Sequence, residues 1–289
     1  LSELPLPAVF DAGGLVLVST PIGNLGDISA RAIAALRAAE LILCEDTRMT
    51  ARLLTHYGVS TRTAPLHDHN EDGRIPDILA RLRQGARIVL VSDAGTPLVS
   101  DPGFRLVRAA IKEGLVVDAI PGANAATMAL TLSGLPPHPY LFLGFCSPRQ
   151  GARQASFARL RASERAGLAA TVILYEAPHR LAATLADMAR EFGDRPACVA
   201  RELTKRFQEL RRGSLPELAA HYADNAARGE ITVVMGPAGE EATDAAALDG
   251  LLLAALRDQS VREAAASVAA ATGLPRRTVY ARALELRQD

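Results

Sequence analysis

Between Gly14 and Ser133, short runs of Val, Ile and Leu alternate with stretches in which apolar residues return every three or four positions. Four to six apolar residues between turn formers is how a strand buried on both faces reads, whereas the three-to-four spacing is that of an amphipathic helix. Strands are predicted at GLVLVS (14–19), ELILCE (40–45), RTAPL (62–66), RIVLVS (87–92) and LVVDAI (115–120). Helices are predicted at 28–39, 73–84, 103–113 and 124–133; in the first, Ile28, Ala32, Ile33 and Leu36 share one face behind Asp27, a candidate cap. This alternation of strands and helices predicts a doubly wound α/β unit on a parallel sheet.

GLPPHPY (134–140) has too many prolines to continue a helix and reads as a hinge. The alternation then restarts, with strands near 141–144, 169–175, 196–202 and 230–236 and helices near 152–166, 178–192 and 215–227. The small, polar segment GPAGEEATDAAA (236–247) separates these from three short helical patterns at 248–257, 260–271 and 275–287. The expected organisation is an α/β domain over 14–135, a second α/β domain over 140–237 and a helical tail over 246–289. Within the tail, a Thr-Gly-Leu-Pro break precedes a helix that opens with Arg276, Arg277 and Thr278, the pattern of a helix-turn-helix. An Ala-rich hairpin used for packing or dimerisation fits that pattern equally well.

Composition narrows the function classes. The 32 basic and 32 acidic residues sum to zero, which excludes nucleic-acid binding by bulk positive charge and leaves only local basic patches. Lys112 and Lys205 are the only lysines, a bias that a GC-rich genome explains without phosphate recognition. Cys44, Cys146 and Cys198 are odd in number and show no C-x-x-C spacing, so they read as buried thiols in a reducing cytoplasm. No apolar run reaches the roughly 18 residues of a membrane span, and the first residues lack the pattern of a signal peptide. A cytoplasmic protein without a membrane partner is expected.

The candidate chemistry lies where the strands end. TPIGNLGD (20–27), DTRMT (46–50), HDHNED (67–72), SDAGTPLVSDPG (92–103) and PGAN (121–124) each follow a strand of the first unit. In a parallel sheet all five lie on the carboxyl edge, where open α/β folds bind ligands. Each alone is ordinary turn chemistry; five together point to one crevice. In the fourth loop glycines allow close backbone approach, with Asp93 and Asp101 as fixed acceptors, and PGAN opens a helix whose free N–H groups suit an anion. The usual phosphate-loop, dinucleotide, zincin and hydrolase motifs are absent. His67, Asp68, His69 and Glu71 lack a helical i, i+4 pair, so no metal is expected. Two basic runs stand out: Arg149, Arg153, Arg159, Arg161 and Arg165 against Glu164 alone, and Lys205, Arg206, Arg211 and Arg212 around Glu209.

VSTPIGNLGDIS (18–29), CEDTRMTARLL (44–54), HDHNE (67–71), VSDAGTPLVSDPGF (91–104), IPGANA (120–125), YEAPHRL (175–181), RELTKRFQEL (201–210) and GEITVVMGP (229–237) occur in order over 14–237. Together they resemble the signature set of the tetrapyrrole-methylase superfamily. Within it they are most similar to the branch of bacterial small-subunit ribosomal RNA (cytidine-2′-O)-methyltransferases; porphyrin-methylating and diphthine-forming relatives are expected to differ in the EDTR, HDHNE and RELTK blocks.

The resemblance implies a parallel-sheet first domain, a mixed-sheet second domain and S-adenosylmethionine held between them. The donor is expected against Asp93, Ala94, Gly95, Thr96, Asn124, Ala125, Tyr175, Glu176, Glu230, Ile231 and Thr232. The acceptor is expected to be the 2′-hydroxyl of a cytidine in 16S ribosomal RNA, naked or within the small subunit, and the enzyme a homodimer. Taking a proton from that hydroxyl needs a base and an orienting group. Asp46, Arg48 and Glu45 are the first candidates, followed by His67 and Asn24. Arg149, Arg153, Arg201, Lys205, Arg276 and Arg277 are the expected RNA contacts. Two other readings stay open: a tetrapyrrole C-methyltransferase, and a ligand-sensing DNA-binding regulator built on the helix-turn-helix.

Overall fold

The computed structural model describes residues 13–238, 245–272 and 274–287. The first unit consists of β1 (Gly14–Val18), α1 (Ala30–Ala38), β2 (Leu41–Cys44), α2 (Thr47–His56), β3 (Thr63–Pro65), α3 (Glu71–Arg83), β4 (Arg87–Val91), α4 (Phe104–Lys112) and β5 (Val117–Ile120). Its five strands run parallel in the order β3-β2-β4-β1-β5. Alternate side chains serve opposite faces. Val16, Val18, Ile42, Cys44, Val89 and Val91 meet Ala32, Ala35, Leu36 and Leu54 of α1 and α2. Leu15, Leu41, Leu43, Ile88 and Leu90 meet Ile78, Leu79 and Leu82 of α3 and Leu106 and Ala110 of α4. Both faces are therefore apolar, and each fully buried Leu or Val stabilises the sheet by about 1.5–3 kcal/mol.

Two local features depart from the sequence expectation. Ser29, not Asp27, caps α1: its Oγ accepts from the Ala32 N–H at 3.1 Å, while Asp27 ends a 3₁₀ turn over Leu25–Asp27. The stretch beginning DTRMT is not a loop but opens α2; only Thr50 and Leu54 of its ten residues are buried, so no apolar stripe announces it.

The chain leaves β5 into α5 (Ala125–Ser133), which lies on the second sheet. Ala126, Ala129 and Leu130 pack against Ile173, Cys198, Ala200 and Val234 there. That sheet is formed within β6 (Tyr140–Phe145), α6 (Gln150–Arg165), β7 (Thr171–Glu176), α7 (Leu181–Phe192), β8 (Pro196–Arg201), β9 (Glu209–Ser214), α8 (Leu215–Asp224) and β10 (Ile231–Met235). Its strand order is β6-β7-β10-β8-β9, with β6 parallel to β7 and every other pair antiparallel. Val172, Leu174, Val199, Val233 and Met235 bury the second face under α6, α7 and α8. Strand β9, ELRRGS, has no apolar alternation because it is an edge strand, paired on one side only and protected by charge.

Helices α9 (Ala245–Ala255), α10 (Val261–Thr272) and α11 (Arg276–Leu286) form a separate core of Leu252, Val261, Ala265, Val268, Val279 and Ala283. Arg282 clamps Asp249 across it at 2.6 and 2.7 Å. No described helix is long and apolar enough to cross a membrane.

Candidate active site

The loops at the carboxyl edge of the first sheet are stitched together by their own backbones. Thr20 and Gly95 exchange both N–H···O bonds at 2.9 and 3.1 Å, and Thr20 Oγ1 donates to the Ser92 carbonyl at 3.0 Å. Gly95 has φ +89°, and a Cβ there would stand 3.2 Å from Ile22 Cγ2, so this close approach requires glycine. Thr96 Oγ1 donates to the Ala123 carbonyl at 3.1 Å, tying the fourth loop to the fifth. Asn124 then starts α5, its Oδ1 accepting from the N–H groups of Ala126 and Thr127 at 3.0 and 3.2 Å.

Opposite these loops stand the end of β7 and the start of β10, and between the two sheets lies a cavity of about 350 Å³. Asp93, Ala94, Gly95 and Thr96 line it from the β4 loop, Asn124 and Ala125 from α5, Tyr175 and Glu176 from β7, and Glu230, Ile231 and Thr232 from β10. All eleven positions named from the sequence for the donor thus meet in one place. Val99 and Ser100, within the fourth loop but not named individually, also line it, as do Phe145, Ala200 and Leu203, which sit in strands and a turn with no polar or glycine signature. Phe145 stacks edge-on against Tyr175, with ring centroids 5.4 Å apart.

Not every lining residue offers its side chain. The Glu176 carboxylate is buried, accepting from the Ala177 N–H at 2.7 Å, from Arg180 Nε at 2.7 Å and from Thr184 Oγ1 at 2.6 Å. These bonds fix the turn after β7. Glu230 is exposed at the rim and pairs with Lys205 Nζ at 3.1 Å, and Lys205 also holds Glu202 at 2.9 Å.

Beside the cavity Glu45, Asp46, Asp93 and Asp101 crowd together. The Asp46 N–H donates to Asp93 Oδ1 at 3.1 Å, and Ser92 Oγ donates to Asp101 Oδ2 at 2.5 Å. Burial pushes the pKa values of Asp93 and Asp101 up, and neighbouring carboxylates add to the rise. Glu45 is raised in the same way, first by burial and then by the charges of Asp93, Asp101 and Asp68. Its carboxylate has no hydrogen-bond or ion-pair partner among the described residues. Asp46 goes the other way. Its Oδ1 caps α2 through the Arg48 N–H at 2.8 Å, its carboxylate also takes the Arg48 guanidinium at 2.9 Å, and these bonds hold its pKa at about 2. A carboxylate held that low is a weak proton acceptor at neutral pH; Glu45 is the stronger one.

His67 lies in the neighbouring loop, where Asn70 Oδ1 accepts from its N–H at 2.9 Å and its Nδ1 is buried without a partner. Glu71 of the same run is structural: it accepts from the Leu106 N–H at 2.8 Å and from Arg105 Nε at 3.2 Å, docking this loop onto α4.

The expected RNA contacts divide. Arg149, Arg276 and Arg277 are exposed. Arg201 is half-buried and bound to Glu209 at 2.6 Å, next to Lys205 and its two glutamates. Arg153 is corrected by the structure: its guanidinium is buried against Asp187 at 2.5 Å, so no phosphate reaches it. Arg161 is likewise bound to Glu164 at 3.2 Å, which leaves the basic face of α6 to Arg149, Arg159 and Arg165.

Comparison with known proteins agrees with this architecture. The profile of the family Tetrapyrrole (Corrin/Porphyrin) Methylases matches residues 14–219, and one described as RsmI C-terminal HTH domain matches 242–287. A protein of Mesorhizobium japonicum named Ribosomal RNA small subunit methyltransferase I is 45% identical over 289 residues, covering 99% of this chain and 97% of its own. A protein of the same name from Synechocystis is 43% identical, covering 96% and 99%. Among solved structures, a diphthine synthase superposes with TM-score 0.58 at 16% identity over 77% of this chain and 89% of its own. A uroporphyrin-III C-methyl transferase of Thermus thermophilus, complexed with S-adenyl homocysteine, gives 0.54 at 19% identity, covering 78% and 97%. The solved structures are too distant in sequence to establish more than the fold. The family match and the nearly full-length relatives establish more: the chain belongs to the tetrapyrrole methylase family.

Proposed function

We propose that the chain transfers a methyl group from S-adenosylmethionine to the ribose 2′-hydroxyl of a cytidine in 16S ribosomal RNA, in the cytoplasm and as a homodimer. The observation that carries this reading is the cavity at which the first, fourth and fifth loops of one sheet meet two strand ends of the other. Its chemistry suits such a donor. Ile22, Ala200, Leu203 and Ile231 supply apolar walls for an adenine, Asp93 and Glu230 supply carboxylates for positive groups, and the backbone amides of Asp93 and Thr96 supply hydrogen bonds. When bound, the donor supplies an electrophilic methyl group.

The remaining work falls to side chains beside the cavity. Glu45 takes the proton from the 2′-oxygen, with Asp93 next to it as the second carboxylate whose pKa is raised. Arg48, locked to Asp46 yet with its side chain 87% exposed, holds a fixed positive charge toward the phosphates flanking the target ribose. The ribosomal RNA assignment is supported by the name shared by relatives that match nearly end to end. The tetrapyrrole alternative is supported by the description of the family and by folds at 20% identity or less, not by any of the nearly full-length relatives. The homodimer reading is supported by β5 and β6, each at one edge of its sheet among the described residues, with exposed apolar Ile111, Val116, Tyr140 and Leu143 on or beside them.

One assay tests the whole. The protein and labelled S-adenosylmethionine are incubated with undermethylated small subunits, with naked 16S RNA and with a tetrapyrrole precursor. Label in a cytidine ribose is expected. Label in the pigment alone, or in nothing, overturns the proposal.

A further inference from the structure

We propose that Phe207 is a stacking platform for an unpaired base of the RNA substrate, carried on a loop that reaches from the donor cavity to the surface. The proposal rests on the RNA-methylating reading above and adds to it a residue that recognises the substrate.

Phe207 is 65% exposed, more than any other large apolar side chain among the described residues. An exposed phenyl ring has no stabilising reason to stand in water. Its backbone, moreover, is firmly held. The turn between β8 and β9 is closed by the Lys205 N–H to Glu202 carbonyl bond at 3.0 Å and the Gln208 N–H to Lys205 carbonyl bond at 3.1 Å. Gln208 Oε1 accepts from the Thr204 N–H at 2.7 Å, and Glu202 and Thr204 keep left-handed backbone angles, with φ 51° and 65°. The ring is thus displayed on an ordered turn, as a preorganised contact must be.

The position of that turn gives the ring its meaning. Leu203 at its base lines the donor cavity, and Lys205 holds Glu230 on the rim. Across the mouth, the Asn24 N–H donates to Thr204 Oγ1 at 3.0 Å, joining the turn to the first loop of the other sheet. A ribose that brings its 2′-oxygen to the donor carries its own base and those of its neighbours to this rim. The Arg206 guanidinium lies 5.5 Å from the Phe207 ring centroid, pairing a cation with the aromatic at the tip. An aromatic face backed by arginine is how proteins hold splayed, single-stranded bases, and stacking of this kind tolerates any base sequence.

The chain contains no tryptophan, so Phe207→Trp introduces a single fluorescent reporter at the proposed contact. Its emission is expected to be quenched by a cytidine-containing single-stranded oligonucleotide and by small subunits, and to be unaffected by duplex RNA. In methylation assays Phe207→Ala is expected to raise KM for subunits about tenfold to a hundredfold with little change in kcat. Phe207→Tyr should restore KM, and calorimetric affinity for S-adenosylhomocysteine should be equal in all variants.

A wild-type KM in Phe207→Ala, or RNA retained on filters by Phe207→Trp without any change in emission, overturns the platform while leaving the methylation reading intact. A change in oligomeric mass on Phe207→Ala assigns the ring to a contact between copies and also overturns it. Wild-type protein that neither binds nor labels RNA removes both.

Discussion

Replacing Arg153 with alanine separates two roles that arginines of α6 can have. Arg153 Nε and Nη2 donate to Asp187 Oδ2 at 2.8 and 2.5 Å, and the two side chains are only 4% and 1% exposed. Burial by itself would push the Asp187 pKa up; hydrogen bonds from Gln154, Arg153 and Gln150 outweigh it and hold the carboxylate below its ordinary range. Without Arg153 the carboxylate keeps Gln154 at 2.8 Å and Arg190 at 3.2 Å. Breaking a buried pair costs about 3–5 kcal/mol, and the surviving donors place this case near 3. At about 2–4 °C per kcal/mol, Tm in a thermal melt should fall by roughly 6–12 °C. Arg149→Ala, one turn earlier and exposed, should stay within about 0.5 kcal/mol of wild type and instead weaken RNA binding. The pH dependence has a definite sign. Because the folded Asp187 pKa is depressed, its contribution is complete above the unfolded value of about 3.9 and is lost as pH falls through the folded value. The gap between wild type and Arg153→Ala should therefore be full at neutral pH and narrow below about 4. An Arg153→Ala protein with unchanged Tm and weakened RNA binding would refute the reasoning.

Three other changes test the site and the tail. Glu45→Gln should lower the single-turnover methylation rate by about 10²–10⁴-fold, with S-adenosylhomocysteine affinity retained. In wild type that rate should rise with pH through a value above the usual glutamate range, because burial and then Asp93, Asp101 and Asp68 raise the Glu45 pKa; a wild-type profile in the variant removes Glu45 as base. Gly23→Ala would place a Cβ 2.4 Å from Lys205 Cγ and 3.1 Å from the Leu203 carbonyl. The lysine stem can move but the carbonyl is backbone, so the loops should part and donor affinity fall by about tenfold in calorimetry; unaltered affinity would show that the clasp is dispensable. Truncation after Pro237 removes a helical unit with its own core, so the body should keep its Tm and donor affinity. RNA affinity should drop, with a salt slope shallower by about one or two through loss of Arg276 and Arg277, and an equal slope would exclude these arginines from phosphate contact.

What was legible in the sequence follows from how locally each feature is determined. The central strands of the first sheet, β1, β2 and β4, could be read because both faces are buried, so each run is almost wholly apolar, whereas the edge strands β3 and β5 are less buried. A parallel sheet places every strand's end on one edge, and loop composition therefore located the cavity without knowledge of any contact. Helix α2 and strand β9 were not legible because each buries so little: two residues in one, and none fully in the other. The roles of charged side chains were the least legible. Asp46 and Arg48 were both named, but the bonds between them, which cap α2 with Asp46 and hold its pKa low, belong to the geometry of a helix the pattern did not announce.

Net charge meets the same limit. The chain sums to zero, and only part of the basic excess of α6 is solvated, because some of its charges are bound to partners elsewhere in the sequence. Arg153 is neutralised by Asp187, 34 positions away, while Glu164 serves both Arg161 beside it and Arg195, 31 positions away, at 2.7 Å. A phosphate is attracted by the charges that remain solvated, so the relevant quantity is the positions of exposed arginines such as Arg48, Arg149, Arg159, Arg165, Arg206, Arg276 and Arg277 rather than the total. Spread over α2, α6, the β8–β9 turn and α11, they do not all meet one RNA, and few counterions are released. Affinity for a structured RNA must then come from shape and stacking at the rim of the cavity more than from charge, and binding should weaken only modestly between low and physiological salt.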